Sequence, residues 1–438
     1  MIILYIWLWL FPLLVPEEKK DANALANHYS EKAKKYLVKD SQVHNFFRID
    51  QRGVAMFASF RDKQLNKPEF FLAWSELEDF KKLIKYADRS YQFELYRAKG
   101  TSPFDQSMLM TINILEQNHY FVPVSRDLPL SGLRIAIDPG HIAGDLDVAK
   151  EEGRFVNMKG PGGKEYSFFE GELNLATAFV LRDSLEKMGA EVMMTRHKGN
   201  YSALGISFDH WKETKLPEAM KKAGVANSQL KNQLKNTSAS MLYRMYFLRA
   251  DLDARADKIN YFKPHFTVVI HYNADEKNVG WKKPSKRNFS MVFVPGAYMK
   301  HELKTSLDRF DFIRILLSDH IQESVNLSEK VMGEFKTYLK VPPVSTSEEP
   351  SYLKVTSLRI NEGVYARNLR LCRLLNTPIC YAEPLLQDNE HELKALDKNN
   401  LQKGQIAPRV VQVANSYYRG IMRYVAERRK RQNFLDQY

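Results

Sequence analysis

The sequence predicts an α/β fold: a largely parallel twisted sheet with helices on both faces, preceded by a small α+β module. Three observations carry that expectation. Beyond Leu133, short apolar runs alternate with stretches of helical periodicity, the rhythm of strand–helix–strand units. The first such run, Leu133-Arg134-Ile135-Ala136-Ile137, passes into Asp138-Pro139-Gly140-His141. A histidine is thereby presented at the carboxyl end of a strand, where open α/β sheets place their ligands. Residues 27–128, in contrast, mix strand-like and helical pieces without that alternation.

Taken in chain order, segment 1–26 reads as a signal peptide or N-terminal apolar segment. Met1 to Val15 carry no charge. As a helix they reach roughly 22 Å, short of a hydrocarbon core near 30 Å, so a signal-peptide apolar region fits better than a spanning anchor. Export is the expectation, with membrane contact only through this segment. Two details run against the pattern: no Lys or Arg precedes the run, and the first A-x-A, Ala24-Leu25-Ala26, lies well downstream.

In the module 27–128, Phe46–Ile49, Val54–Phe57 and Phe93–Tyr96 look strand-like and Glu76–Tyr86 helical. It carries no recognisable chemistry, and a packing or positioning role is its default.

The region 131–428 holds the rest. Strand Arg134–Asp138 leads to a helix beginning near Glu170, with Leu181, Leu185 and Met188 on one face and Gly189 just past its end. Strands Glu191–Thr195, Phe266–His271 and Met291–Val294 follow. A helix then carries Leu327, Val331, Phe335 and Leu339. Strand Pro378–Ala382 precedes a last helix with Val410, Ala414, Tyr417, Ile421 and Val425 in one stripe. Two insertions, near 205–240 and 301–321, interrupt this rhythm. Long structureless loops are uncommon inside domains, so both are expected to be helical. At least one is expected to cover the cleft as a lid, the alternative being a solvated decoration.

Length and composition agree. At 438 residues the chain can bury two or three cores, and 44% hydrophobic with 27% charged residues is ordinary globular composition. The formal charge of +13 favours polyanions. Nucleic acid is not the expected partner, because basic residues are scattered and no nucleic-acid motif occurs. The densest cluster opens the basic tail 429–438, at a helix end where cations complement the macrodipole. Cys372 and Cys380, the two cysteines, could pair in an oxidising compartment, but their spacing does not establish the geometry, and two buried free thiols is the favoured reading.

Three further segments give His141 its meaning: Glu170-Gly171-Glu172-Leu173-Asn174-Leu175, Val268-Val269-Ile270-His271-Tyr272-Asn273-Ala274, and Ile379-Cys380-Tyr381-Ala382-Glu383. With Asp138-Pro139-Gly140-His141, in that order, they resemble the zinc-dependent N-acetylmuramoyl-L-alanine amidases of bacterial cell walls, of the cell-separation type. The resemblance covers roughly Leu133 to Val425. Thr195-Arg196, Leu252 with Arg255, Asn389 and Glu392 add to it.

The resemblance implies one Zn2+ per chain, held by His141, Glu170 and His271, with Glu383 activating the attacking water. Glu170 and Glu172 compete as ligand. Two positions apart on a helix they point about 200° from each other, so only one faces the metal. The resemblance selects Glu170, four residues before Asn174-Leu175. The implied substrate is peptidoglycan, cut between N-acetylmuramic acid and L-alanine in cell-wall remodelling or cell separation. The implied location is the periplasm or cell envelope, with an activator protein acting on the insertions.

The chain departs from the family pattern at three points. Ile142-Ala143 stand where two glycines are common, Val269 where serine is common, and Pro384-Leu385-Leu386 follow Glu383. These bear on substrate loops rather than on the chemistry. A zinc peptidase cutting within the stem peptide is disfavoured by the four motifs in order. The alternative, a non-catalytic peptidoglycan-binding or regulatory protein on the same fold, would show loss of a ligand or of the terminal glutamate, and all four residues are present.

Overall fold

The structure, a computed structural model, describes residues 21–117, 128–278, 283–398, 402 and 404–435; the apolar run Met1–Val15 lies outside them. Among the described residues no helix is long and apolar enough to cross a membrane. Ala24-Leu25-Ala26 falls inside a helix, Ala22–Lys32, capped by the Asp21 side chain.

A seven-stranded sheet forms the centre. Its strands are β4 (Arg134–Pro139), β7 (Glu191–Met194), β8 (Phe266–Ile270), β9 (Met291–Val294), β10 (Ser357–Asn361), β11 (Val364–Arg367) and β12 (Ile379–Glu383). They lie in the order β10-β11-β9-β12-β8-β4-β7. The run β12-β8-β4-β7 is parallel throughout; β9 is antiparallel to β12, and β10 to β11. The hairpin β10–β11 was not anticipated, and it is one source of the mixed character.

All five residues of β8 are buried because both faces of the sheet are covered. Alternation divides the strands between two cores. Ile135, Ile137, Val268, Ile270, Cys380 and Ala382 face the helices Glu170–Lys187, His320–Thr337 and Pro408–Leu435. Ala136, Val269 and Ile379 face the opposite way, towards Ile259 of helix Leu248–Phe262 and Leu371 of helix Arg370–Leu374. The stripe Val410, Ala414, Tyr417 and Ile421 is buried as its spacing predicts. Both cysteines are free and buried.

The hairpin of β5 (Phe155–Lys159) and β6 (Glu165–Phe169) was also unread in the sequence, although period-two alternation buries Val156, Met158, Tyr166 and Phe168 in the first of those cores. Helix Pro408–Leu435 continues into the basic segment, where Arg429 donates to the carbonyl of Ser131.

In the N-terminal part, β1 (Phe47–Asp50), β2 (Gly53–Met56) and β3 (Phe70–Ala73) form an antiparallel sheet. One expectation is corrected here. Phe93–Tyr96 is not a strand but part of helix Arg89–Lys99, which Asp88 caps. Tertiary packing selects the helix: Gln92, Tyr96 and Lys99 are buried one turn apart, and the Gln92 amide donates to the carbonyls of Ile84 and Ala87. The third strand is Phe70–Ala73 instead.

Both insertions contain helices. The first holds Phe208–Thr214, Leu216–Lys222, Asn227–Asn236 and Ala239–Leu242. The second contains Ser306–Leu317, buried from Arg309 to Leu317. Its Phe310, Phe312 and Ile313 share one core with Phe70, Phe80 and Tyr96 of the N-terminal part. Ion pairs Arg89–Asp311 (2.7 Å) and Arg309–Glu69 (2.6 Å) bracket that contact.

Candidate metal centre

Three neighbouring parallel strands set the site. In register, Pro139 of β4 lies beside Ile270 of β8, and Ile270 beside Ala382 of β12. Their carboxyl ends therefore deliver His141, His271 and Glu383 to one edge of the sheet. A Cβ on Gly140 would sit 2.1 Å from Nε2 of His271, so only glycine lets the β4 loop pass the second histidine.

Buried ions anchor that loop. Asp138 accepts from the Thr195 hydroxyl and from Nη1 of Arg255 (3.0 Å). Arg255 also pairs with Asp251 (2.8 Å) and donates to the carbonyls of Pro139 and His141. Arg196 donates to the carbonyls of Pro139, Gly140 and Gly171, and Asn174 to that of Gly140. Removing one member of a buried ion group strands the others. Arg255→Leu is expected to destabilise the protein by about 3–5 kcal/mol, read by chemical denaturation; a loss below about 1 kcal/mol, the worth of an exposed pair, would contradict the anchoring role.

Glu170 opens helix Glu170–Lys187, where a carboxylate also complements the macrodipole. Its Oε1 lies 2.9 Å from Nδ1 of His271 and accepts from the Tyr272 amide, while Oε2 lies 3.3 Å from Nε2 of His141. Gly171 lets this helix start close against the His141 loop, since a Cβ there would meet the backbone of Ala143 at 2.7 Å. Glu172 points elsewhere, to Lys398. One donor atom each from His141, Glu170 and His271 lies within 4.8 Å of the other two, a group able to hold a metal ion. Two imidazoles and a carboxylate, with room for a fourth position, are the donor set of a hydrolytic zinc site.

The outer nitrogens are also met. Nε2 of His271 lies 2.8 Å from the Tyr381 hydroxyl, and Nδ1 of His141 lies 3.6 Å from Glu152, an ion-pair distance rather than a hydrogen bond. Sequence reasoning missed both partners. Tyr381 carried a usable signal, standing two positions before Glu383 on one strand face. Glu152 carried none.

Glu383 ends β12, and its buried Oε2 has no hydrogen-bond partner among the described residues. Burial, then the neighbouring Glu170, pushes its carboxyl up to about 8. Burial opposes ionisation of Glu170 too, but His141 and His271 outweigh it and hold Glu170 well below 4.5. Burial likewise opposes a charged His141, and Glu170 with Glu152 outweighs it, raising that imidazole to about 9. His271 is lowered by burial.

These shifts set a pH dependence for the metal-free protein. His141, raised from 6.5, contributes stability that is complete below 6.5 and lost by about 9. Glu383, raised from 4.5, disfavours the fold increasingly from 4.5 to about 8, where the unfolded chain ionises and the folded one keeps its proton. Both act in one direction. Below 6.5 the imidazoles of His271 and His320, lowered by burial, oppose Glu383, so the melting temperature of the metal-free protein is expected to fall as pH rises from about 6.5 to 8, and metal should suppress the part due to His141, whose imidazole must be neutral to ligate. A flat metal-free profile would contradict the assigned pairing.

The four residues line a cavity of about 540 Å³, together with Arg154 and Arg367 among others. Among the described residues, neither 212–238 nor 301–321 contributes to its wall; Tyr243 and Leu248, beyond the first insertion's helices, do. The expected cover over the cleft is therefore not seen. The second insertion spends its apolar face on the N-terminal core, and Phe208, Trp211, Leu216 and Met220 of the first are packed on one another.

A profile of the N-acetylmuramoyl-L-alanine amidases matches residues 135–422, more than half of the chain, a span within which the centre lies. The chain belongs to that family. It is an enzyme that cleaves the amide between N-acetylmuramic acid and L-alanine in peptidoglycan, and so acts in cell-wall remodelling. No curated protein shows a sequence match to this amidase. Among solved structures it is similar to the CwlD amidase from Clostridioides difficile in complex with the GerS lipoprotein, at 18% identity and TM-score 0.37, covering 67% of this chain and 98% of that one. Similar too are Ami1 from Mycobacterium smegmatis (15%, TM-score 0.37, 68% and 99%) and AmiC2 of Nostoc punctiforme (14%, TM-score 0.34, 67% and 97%).

Proposed function

We propose that the amidase works with one Zn2+ per chain, held by His141, Glu170 and His271, with Glu383 as general base. The supporting observation is the His141–Glu170–His271 group within 4.8 Å, sharing its cavity with a carboxylate whose buried oxygen has no partner among the described residues. When bound there, zinc supplies a Lewis acid for the amide carbonyl and lowers the pKa of water to about 7. The chain's own residues do the rest. Glu383 takes the proton of the attacking water and passes it to the departing L-alanine nitrogen, which leaves as the amine. Glu170, kept ionised by the two histidines, serves as ligand rather than as a second acid.

We also propose export to the periplasm or cell envelope through segment 1–26, a packing module over 27–128, and a catalytic region over 131–428 followed by a basic tail. An activator protein meeting the insertions belongs to the same reading.

The test is digestion of purified peptidoglycan by the full chain, with and without chelator. Mass spectrometry should find new free L-alanine amino termini that disappear with chelation and return with zinc. Cleavage that persists in chelator would overturn the metal assignment, and products cut within the stem peptide would overturn the bond assignment.

A further inference from the structure

His141 lies in the left-handed region at φ +55°, a conformation a non-glycine residue keeps only when its surroundings impose it. Arg255 takes the His141 carbonyl, and Glu152 takes the amides that follow it. The Glu152 side chain is buried, its Oε1 accepts from the Ile142 amide (2.9 Å) and the Tyr243 hydroxyl (2.6 Å), and its Oε2 from the Ala143 amide (3.0 Å). The two amides directly after His141 are thus both held by one carboxylate. Glu152 stands at the carboxyl end of helix Leu146–Glu152, where the macrodipole disfavours an acid, so helix formation does not account for it.

Tyr243 ties this carboxylate to the first insertion. It begins a π-helical turn, Tyr243–Phe247, between helix Ala239–Leu242 and helix Leu248–Phe262. Its ring lies edge-on to Phe208 at 5.1 Å, and both belong to a core with Trp211, Leu216 and Met220. The same core contains Ile142, fully buried. The isoleucine next to the first ligand, standing where the family commonly has glycine, is therefore the point on which the insertion packs.

We propose that the first insertion is a scaffold for the metal centre: through the Tyr243–Glu152 hydrogen bond and the Ile142 side chain it holds the His141 loop in its ligating conformation. Glu152, Tyr243 and Ile142 are positioning residues; none is assigned contact with substrate or metal. This rests on the zinc reading above only in taking His141 as a ligand.

The experiment uses the full chain and its Tyr243→Phe and Glu152→Gln variants. Zinc affinity is read by competition with a chromophoric chelator, and hydrogen exchange of the Ile142 and Ala143 amides is read on the metal-free proteins. Tyr243→Phe keeps the ring in its core and removes one hydroxyl, so the fold should persist. Outer partners of metal ligands typically govern about 10–100-fold in affinity. Zinc binding should weaken by about tenfold in Tyr243→Phe and by up to about a hundredfold in Glu152→Gln. The double variant should lose little beyond Glu152→Gln, and both amides should exchange faster in each variant. Unchanged exchange would overturn the scaffold, as would faster exchange with wild-type zinc affinity. If the wild-type chain takes up no zinc, the metal reading fails, and exchange in the metal-free proteins still decides whether the insertion holds the loop.

Discussion

Glu383→Gln is expected to reduce turnover of peptidoglycan by about two to four orders of magnitude, the usual worth of a positioned general base. Zinc content should stay at the wild-type level. Burial beside Glu170 sets the Glu383 carboxyl at about 8 in the metal-free protein, near the pH at which proton acceptance and return are both feasible. Glutamine keeps the shape and loses only the proton transfer. The stability readout distinguishes this role from a structural one. At neutral pH a carboxyl raised from 4.5 to about 8 costs the fold, because it stays protonated where the unfolded chain ionises, so the metal-free variant should melt no lower than wild type. A purely structural carboxylate would do the reverse, lowering the melting temperature while the folded fraction kept its activity. Near-normal turnover at full zinc would remove the assigned role.

His271→Ala is the second large effect. Its Nδ1 faces Glu170 and its Nε2 the Tyr381 hydroxyl, while its ring stacks on that of Tyr381 at 4.7 Å. Removing it deletes one of three donors and leaves Glu170 facing a single imidazole. Zinc affinity is expected to fall by more than the roughly hundredfold that an outer partner governs, with turnover at background. His141→Ala should behave alike. Glu172→Gln, whose parent side chain turns to Lys398, should keep its metal. Elemental analysis after dialysis reads all three; full occupancy in either histidine variant would remove that residue from the ligand set.

Much of the centre was legible because its residues sit at ends of regular elements. A histidine after the strand ending in Pro139, another after Ile270, and a glutamate closing Ile379–Glu383 are local patterns, and the strand order brings local patterns together. Periodicity likewise exposed the stripe Val410, Ala414, Tyr417 and Ile421. Glu152 was illegible for a matching reason: its partners Ile142 and Tyr243 lie 10 and 91 residues away, and no spacing rule joins them. The strand-like reading of Phe93–Tyr96 failed because so short a run of aromatic and apolar residues fits a helix as well as a strand, and the bonds of Gln92 to Ile84 and Ala87 decide the matter only in three dimensions. Antiparallel β9 was read as a strand, but its direction is set by neighbours rather than by its own four buried residues.

The shared core between the N-terminal part and helix Ser306–Leu317 bears on how such a chain can be cut, swapped or inherited. Phe310, Phe312 and Ile313 have no exposed surface, and their cover comes from residues such as Phe70, Phe80 and Tyr96, more than two hundred positions earlier. A truncation starting at residue 131 would present those rings to water beside Asp311 and Arg309 stripped of Arg89 and Glu69, a combination that invites aggregation. Grafting the leading module onto an amidase that lacks the 301–321 insertion would leave its own inner face bare. The two pieces, far apart in the chain, close one core that also takes in Val294, Val364 and Ala366 of the central sheet, so neither can be removed without uncovering the other.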